Sequence, residues 1–154
     1  MDDVGMKAHD MPGHLIRRLN QISTNVFSRH MQQTGLDLTP VQFAAMDAIA
    51  TYPGIDQAGV ASSIAYDRAT IGGVIDRLEQ KGYVSRTVSS QDRRAREVRL
   101  TAQGLEVFTE ILPLVRALQE EILPGLDQAE RASFMQLARK AITNASDPVS
   151  SGKL

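Results

Sequence analysis

Apolar residues recur along this chain with a helical period over most of its length, and with a period of two in one short stretch. Leu15, Leu19, Ile22 and Val26 follow one another at steps of four, three and four residues, one stripe of a helix running from Pro12 to about Gln33. Pro12 suits the first turn of that helix and Gly35 closes it. Thr39-Pro40 opens a second helix, an N-cap threonine with proline just inside, and Phe43, Met46, Ile49 and Ala50 form its buried face. Tyr52-Pro53-Gly54 ends it. A short helix from about Gln57 to Ile64 follows, with Val60, Ala61 and Ile64 apolar, and Asp67 then caps a further helix that stops at Lys81-Gly82.

The two-residue period lies in residues 83–101, where Val84, Val88, Val98 and Leu100 are expected to face the core from two strands. Thr101 caps a long helix with Leu105, Phe108, Leu112, Val115, Leu118 and Ile122 on one stripe, and Pro113 should kink it. Pro124-Gly125 breaks the chain, and Asp127 with Glu130 is a capping box for a last helix to about Asn144. The predicted class is mostly α: a winged helix-turn-helix domain over 36–101, flanked by a helix over 11–35 and by helices over 102–145. Residues 1–10 read as a flexible arm and 146–154 as a disordered tail. The outer helices carry more apolar face than so small a core can cover. That surplus points to a partner, most simply a second copy, so 11–35 and 102–145 are assigned to dimerisation.

Charge changes the picture at one place. The whole chain is formally −1, yet residues 83–101 hold Arg86, Arg93, Arg94, Arg96 and Arg99 against Asp92 and Glu97. A concentrated positive hairpin on a slightly acidic protein is the footprint of a part that enters a nucleic-acid groove. The near-zero total argues against charge-driven DNA packaging. The chain has no cysteine, which excludes a disulfide framework, a thiolate metal site and a thiol switch. No apolar run approaches membrane-span length and no signal-peptide pattern is present, so a cytoplasmic location is expected.

The helix that precedes the hairpin can be read by angle. With Leu78 at the centre of its buried face, Ile71, Val74 and Ile75 fall within about 60° at about 100° per residue. Ala69, Gly72, Gly73 and Asp76 lie opposite, with Arg68, Thr70 and Arg77 on the flanks. The exposed face is thus nearly bare at its amino-terminal half, although each glycine costs a helix about 1 kcal/mol relative to alanine. Close approach of a DNA major groove would explain it, with Ala69 or the Thr70 methyl against a thymine methyl, Arg68 on a guanine or phosphate and Arg77 on a phosphate. Packing of another helix against Gly72-Gly73 is the alternative. Asp67 has two readings as well, an N-cap or an acceptor from a cytosine amine. At the hairpin tip, Ser89 to Arg96, an arginine can enter a narrow minor groove, with Asp92 bracing its guanidinium. An ordinary solvated turn is the plainer reading.

The run Asp67-Arg68-Ala69-Thr70-Ile71, then Asp76-Arg77-Leu78-Glu79, Lys81-Gly82-Tyr83-Val84, Asp92-Arg93-Arg94 and Val98-x-Leu100-Thr101-x-x-Gly104 resembles the MarR family of winged-helix regulators in order and spacing. The resemblance covers roughly residues 12 to 143. It implies a homodimer joined through the first and last two helices, bound to a palindromic operator with its recognition helices in major grooves about 34 Å apart. It implies that Asp92 and Arg94 form the wing pair, with Arg94 in the minor groove; Arg93 and Arg96 on the same basic tip are further candidates for DNA contact. Gly72-Gly73 departs from the polar residues commoner there, which puts base contacts at those two positions in question.

Family members commonly release DNA when a small aromatic anion binds between the dimer helices and the winged helix. The stretch Pro12 to Leu19 resembles members that govern aromatic-acid catabolism. His14, Arg17 and Arg18 lie within about one turn near a helix N-terminus, a place suited to a carboxylate, and Phe43 and Met46 could supply an apolar wall. Solvated surface charges are the alternative. His9, His14 and His30 show no metal-ligand spacing, and no metal or other cofactor is expected. No nucleophile–base pair, phosphate loop or paired carboxylates indicate an enzyme. The reading is a repressor released by a small aromatic carboxylate, benzoate- or hydroxynicotinate-like. Its rivals are an effector-independent or architectural DNA-binding protein and a winged helix that binds only protein.

Overall fold

In the computed structural model, which describes residues 8–145, every helix start marked by a capping residue is where the sequence places it. Thr39 and Gln42 form a complete capping box at α2 (Pro40–Thr51), and Asp56 caps α3 (Gln57–Ser63) by accepting from the Gly59 amide. Asp67 caps α4 (Arg68–Gln80), Thr101 caps α5 (Ala102–Leu118), and Asp127 with Glu130 boxes α6 (Gln128–Asn144). Each cap satisfies an amide that the helix leaves without a partner. The first helix, α1 (Pro12–Thr34), ends on Gly35 in the left-handed region, where glycine carries no steric cost. Strands β1 (Val84–Val88) and β2 (Arg96–Leu100) pair antiparallel with Val84 opposite Leu100 and Arg86 opposite Val98. Residue 55 adds an edge contact, its carbonyl accepting from the Val98 amide. Of the expected arm, Ala8–Asp10 form a short 3-10 turn, and residues 1–7 lie outside the described residues, as does the expected tail at 146–154.

The core gathers under the α2–α3–α4 cluster. Met46, Val60, Ile71, Ile75, Leu78 and Ile111 are essentially inaccessible to solvent. Phe43 stands between Phe27 and Phe108, at 6.2 and 5.6 Å between ring centres, and so ties α1, α2 and α5 together. Gln42, the buried polar residue of the core, is satisfied by its capping box and by the Lys81 ammonium, which donates to its Oε1 at 3.1 Å and also to the Asp37 carbonyl.

Several apolar positions differ from expectation. Leu15 and Ile22 are exposed; α1 buries Val26, Phe27 and Met31 instead, because only its second half lies on the rest of the chain. Ala50 is exposed while Ala45 and Ala48 are buried. Val88 is 62% exposed, since the wing projects past the core beyond the Arg86–Val98 pair. Leu105 is 53% exposed and the buried stripe of α5 is Gly104, Val107, Phe108, Ile111, Val115 and Leu118. The helix is rotated by the close approach of Gly104 to the Tyr83 backbone. Pro113 sits inside α5 without ending it. No helix among the described residues is long and apolar enough to cross a membrane.

Candidate nucleic-acid interface

Two elements bring exposed arginines around one groove, the amino-terminal half of α4 and the tip of the wing. On α4 the predicted face is reproduced: Ile71, Val74, Ile75 and Leu78 are buried, and Arg68, Ala69, Thr70, Gly73, Asp76 and Arg77 are exposed. Asp67 is used as a cap. One carboxylate oxygen accepts from the Thr70 amide at 2.8 Å and the other from the Thr70 hydroxyl at 2.7 Å. These two bonds, the hydroxyl's first, hold the Asp67 carboxyl below its ordinary range. A Cβ on Gly73 would meet nothing within 4 Å, and one on Gly72 only the Gln57 amide nitrogen at 3.4 Å. Neither glycine is therefore demanded by packing inside this chain.

The tip is an ordered turn. The Ser89 amide donates to the Ala95 carbonyl at 2.9 Å, the Ala95 amide to the Asp92 carbonyl at 3.0 Å, and the Ser89 hydroxyl accepts from the Gln91 and Asp92 amides. Asp92 does not brace a guanidinium as expected. Its Oδ1 accepts from the Arg94 backbone amide at 2.9 Å, because an aspartate two residues upstream of an amide closes a turn on itself. The side chains of Arg93, Arg94 and Arg96 are exposed and take part in no ion pair among the described residues. Between tip and helix lies an open groove of about 520 Å³, lined by Arg68, Arg94 and Arg96 together with Asp56, Gln57 and Asp92.

Arg86, one of the five arginines of residues 83–101, lies beneath this surface. Its guanidinium lies 2.5 Å from Asp76, 3.1 Å from Glu79 and 3.3 Å from the Gln57 oxygen, with the side chain only 15% exposed. The Arg86 hydrogen bond holds Glu79 below the ordinary carboxylate range, and Glu79 in turn raises Arg86. The signal was present: Arg86 is in phase with Val84 on the strand, an inward position, and Asp76 and Glu79 are three apart on the facing helix. Arg77 has no ion pair among the described residues; it borders a cleft with Asp37, Thr39, Gln42, Gln80 and Lys81.

The five residues expected to hold an anion are divided. His14 is half-exposed, and Arg17 and Arg18 are exposed on the first turns of α1, Arg18 donating to Gln21 at 3.0 Å. Phe43 is half-buried in its aromatic stack, and Met46 is enclosed by the core and lines no surface. Further along α1, His30 and Arg29 both engage Glu121 beyond the end of α5, and the His30 contact holds the Glu121 carboxyl low. Arg131 in the first turn of α6 donates to the carbonyls of Gln119, Glu120 and Leu123. α6 buries no residue of its own, leaving Met135, Leu137 and Ile142 exposed, alongside Leu114 on α5 and Leu15 and Ile16 on α1.

Residues 38–95, which run from just before α2 to the wing tip and stop short of β2, match the model of the MarR family. Over 127 residues the chain is 36% identical to the transcriptional regulator HosA of Escherichia coli, covering 82% of this chain and 91% of HosA. The chain belongs to the MarR family. It is also 30% identical over 142 residues to the HTH-type transcriptional repressor NicR of Pseudomonas putida, across 92% of this chain and 89% of NicR. Among solved structures it superposes with a TM-score of 0.83 on BpsR of Bordetella bronchiseptica, whose DNA binding is regulated by 6-hydroxynicotinic acid. That match is 28% identical and covers 92% of this chain and 99% of BpsR. This MarR-family chain is a DNA-binding transcriptional regulator, and its relatives are regulators rather than enzymes.

Proposed function

We propose that the protein is a cytoplasmic homodimeric repressor that binds a palindromic operator and is released by a small aromatic carboxylate. The observation that carries the DNA reading is the pair of cation-bearing elements, the start of α4 and the wing tip, separated by one groove and holding Arg68, Arg93, Arg94 and Arg96 out of internal ion pairs. In this reading α4 enters the major groove through Arg68, Ala69, Thr70, Gly72 and Gly73, with Arg77 on a phosphate and Asp67 holding the first turn. Arg94 enters the minor groove, and Asp92 fixes the backbone from which it projects.

The dimer is supported by α6, a 17-residue helix with no buried residue, and by exposed Leu15 and Ile16 in the first half of α1. Leu15 and Ile16 on α1 and Met135, Leu137 and Ile142 on α6 face solvent, apolar surface of the kind a partner covers. The repressor role is supported by the likeness to NicR, and the effector class by the likeness to BpsR. The effector site is assigned to the start of α1, where His14, Arg17 and Arg18 lie within about one turn, and Phe43, packed on Phe27 roughly 13 Å or more farther along that helix, falls outside it.

The test is a fluorescence-anisotropy titration of the full-length protein on the DNA upstream of its own gene, against scrambled DNA, at about 150 mM salt. Selective binding that 6-hydroxynicotinic acid or another small aromatic acid abolishes supports the reading. Selective binding that no such acid disturbs supports the effector-independent alternative.

A further inference from the structure

Gln57, the first residue of α3, is half-buried at the foot of the groove between α4 and the wing. Its Oε1 accepts from Arg86 Nη1 at 3.3 Å. The guanidinium can only donate, so it fixes which way round the amide stands: oxygen toward Arg86, nitrogen away. Arg86 is itself held, by Asp76 at 2.5 Å and Glu79 at 3.1 Å, so the amide is oriented from a rigid base. The Gln57 nitrogen takes no acceptor among the described residues, and it lies 3.4 Å from where a Cβ on Gly72 would stand. A donor-only group is thus presented beside the bare face of the recognition helix.

The duplex decides what that donor meets. When one element occupies the major groove and another the adjacent minor groove, the sugar-phosphate strand dividing the two must cross the gap between them. Here that gap is the groove lined by Gln57, Arg68, Arg94 and Arg96. The carboxylates on its edge are already engaged: Asp56 accepts from the Gly59 amide and Asp92 from the Arg94 amide. From this geometry we infer that Gln57 is a DNA-contacting residue whose Nε2 donates to a phosphate of the crossing strand, with Arg86 as its positioning residue. A donor-only amide does not suit adenine, whose recognition by glutamine uses both the oxygen and the nitrogen. The inference rests on the reading of α4 and the wing as the DNA-facing elements.

The experiment compares wild type, Gln57→Ala, Arg86→Met, the double variant and Arg94→Ala on a duplex selected by the wild-type protein from a random pool, and on scrambled DNA, over a salt series. A neutral donor on a phosphate adds affinity without releasing a counterion. Gln57→Ala is therefore expected to weaken both duplexes by the same factor, roughly 3- to 10-fold, with the salt slope unchanged. Arg94→Ala lowers the slope by about 1. In the Arg86→Met background the Gln57→Ala loss should shrink, because the amide is no longer held; a merely structural role for Arg86 would leave it the same. Thermal melts check that each variant folds. Binding by Gln57→Ala within about twofold of wild type, less than one such bond is worth, with Arg94→Ala weakened, overturns this inference alone. If neither variant weakens binding, the reading of the surface fails. A loss confined to the selected duplex makes Gln57 a base reader and overturns the phosphate assignment.

Discussion

A Cβ on residue 104 would stand 1.9 Å from the carbonyl oxygen of Tyr83, so Gly104 is the point at which α5 rests directly on the foot of the wing. The same carbonyl accepts from the Thr101 amide, and the Thr101 hydroxyl donates to Gly82, so the strand, the cap and the helix start are locked within a few residues. Gly104→Ala gains about 1 kcal/mol of helix propensity but must push backbone away from backbone. A net loss of ~2–4 kcal/mol is expected, seen as a melting temperature lower by roughly 5–12 °C. A melt unchanged to within about 2 °C would show that the contact yields without cost.

The Arg86 cluster makes a second prediction, through pH. Arg86 holds Glu79 below its ordinary value of 4.5, so the folded state favours the ionised carboxylate. A depressed carboxyl contributes stability that is fully present above the unfolded value and is lost as pH falls through the folded one. Arg86→Met should therefore melt below wild type near neutral pH, and the gap should narrow as pH drops below about 4.5. Because Glu79 is exposed, added salt should narrow it too. A gap that stays constant from neutral to acid pH would show that Arg86 stabilises through packing of its stem and not through its charge.

Much of this was legible in the chain because caps and turn residues act locally. Thr39, Asp67, Thr101 and Asp127 start helices through bonds to amides three residues on, and the sequence alone contains both partners. What was misread depended on neighbours far away in sequence. Leu105 has the right spacing for a buried stripe, but the Gly104–Tyr83 contact turns α5 so that Val107 and Ile111 go inward. Val88 keeps strand alternation yet has nothing to pack on, since β1 outruns the core. Asp92 meets the Arg94 amide rather than a guanidinium, because charge alone does not count the nearer backbone donor. Met46 was offered as a ligand wall, but a helix face apolar enough to line a pocket is equally one that fills a core.

The recognition helix and the wing should respond differently to substitution. Gly73 has open space where a Cβ would go, so Gly73→Ala is expected to stabilise the protein by about 1 kcal/mol. If the bare face is there to admit a base edge, the same variant should bind its operator more weakly while melting higher. Arg94→Ala should cost ~1–3 kcal/mol of binding with no change in melting temperature. An operator affinity undiminished in Gly73→Ala would mean that α4 does not approach DNA closely at that residue.

The dimer is tested on α6. Leu137 and Ile142 are 64% and 75% exposed, so glutamate at both positions removes little packing within the chain. Leu137→Glu with Ile142→Glu is expected to leave the helical signal intact and to shift sedimentation from dimer to monomer, with loss of palindromic DNA binding. A double variant that still sediments as a dimer would place the interface elsewhere.

The effector assignment makes the last prediction, and it depends on charge at the start of α1. His14, Arg17 and Arg18 face solvent at least in part, and among the described residues none is in an ion pair, so a bound carboxylate would not have to displace an internal partner. A ligand at about 100 times its Kd stabilises the folded state by about 2.7 kcal/mol. Small aromatic carboxylates should therefore raise the melting temperature of wild type by several degrees, and the corresponding uncharged amides should not. Arg17→Ala with Arg18→Ala is expected to abolish the shift while leaving operator binding in place, so that the variant represses but no longer responds. A shift of equal size in that variant would move the anion site away from α1. No shift with any aromatic acid, alongside selective DNA binding, would leave a regulator whose DNA-bound state is not set by such a ligand.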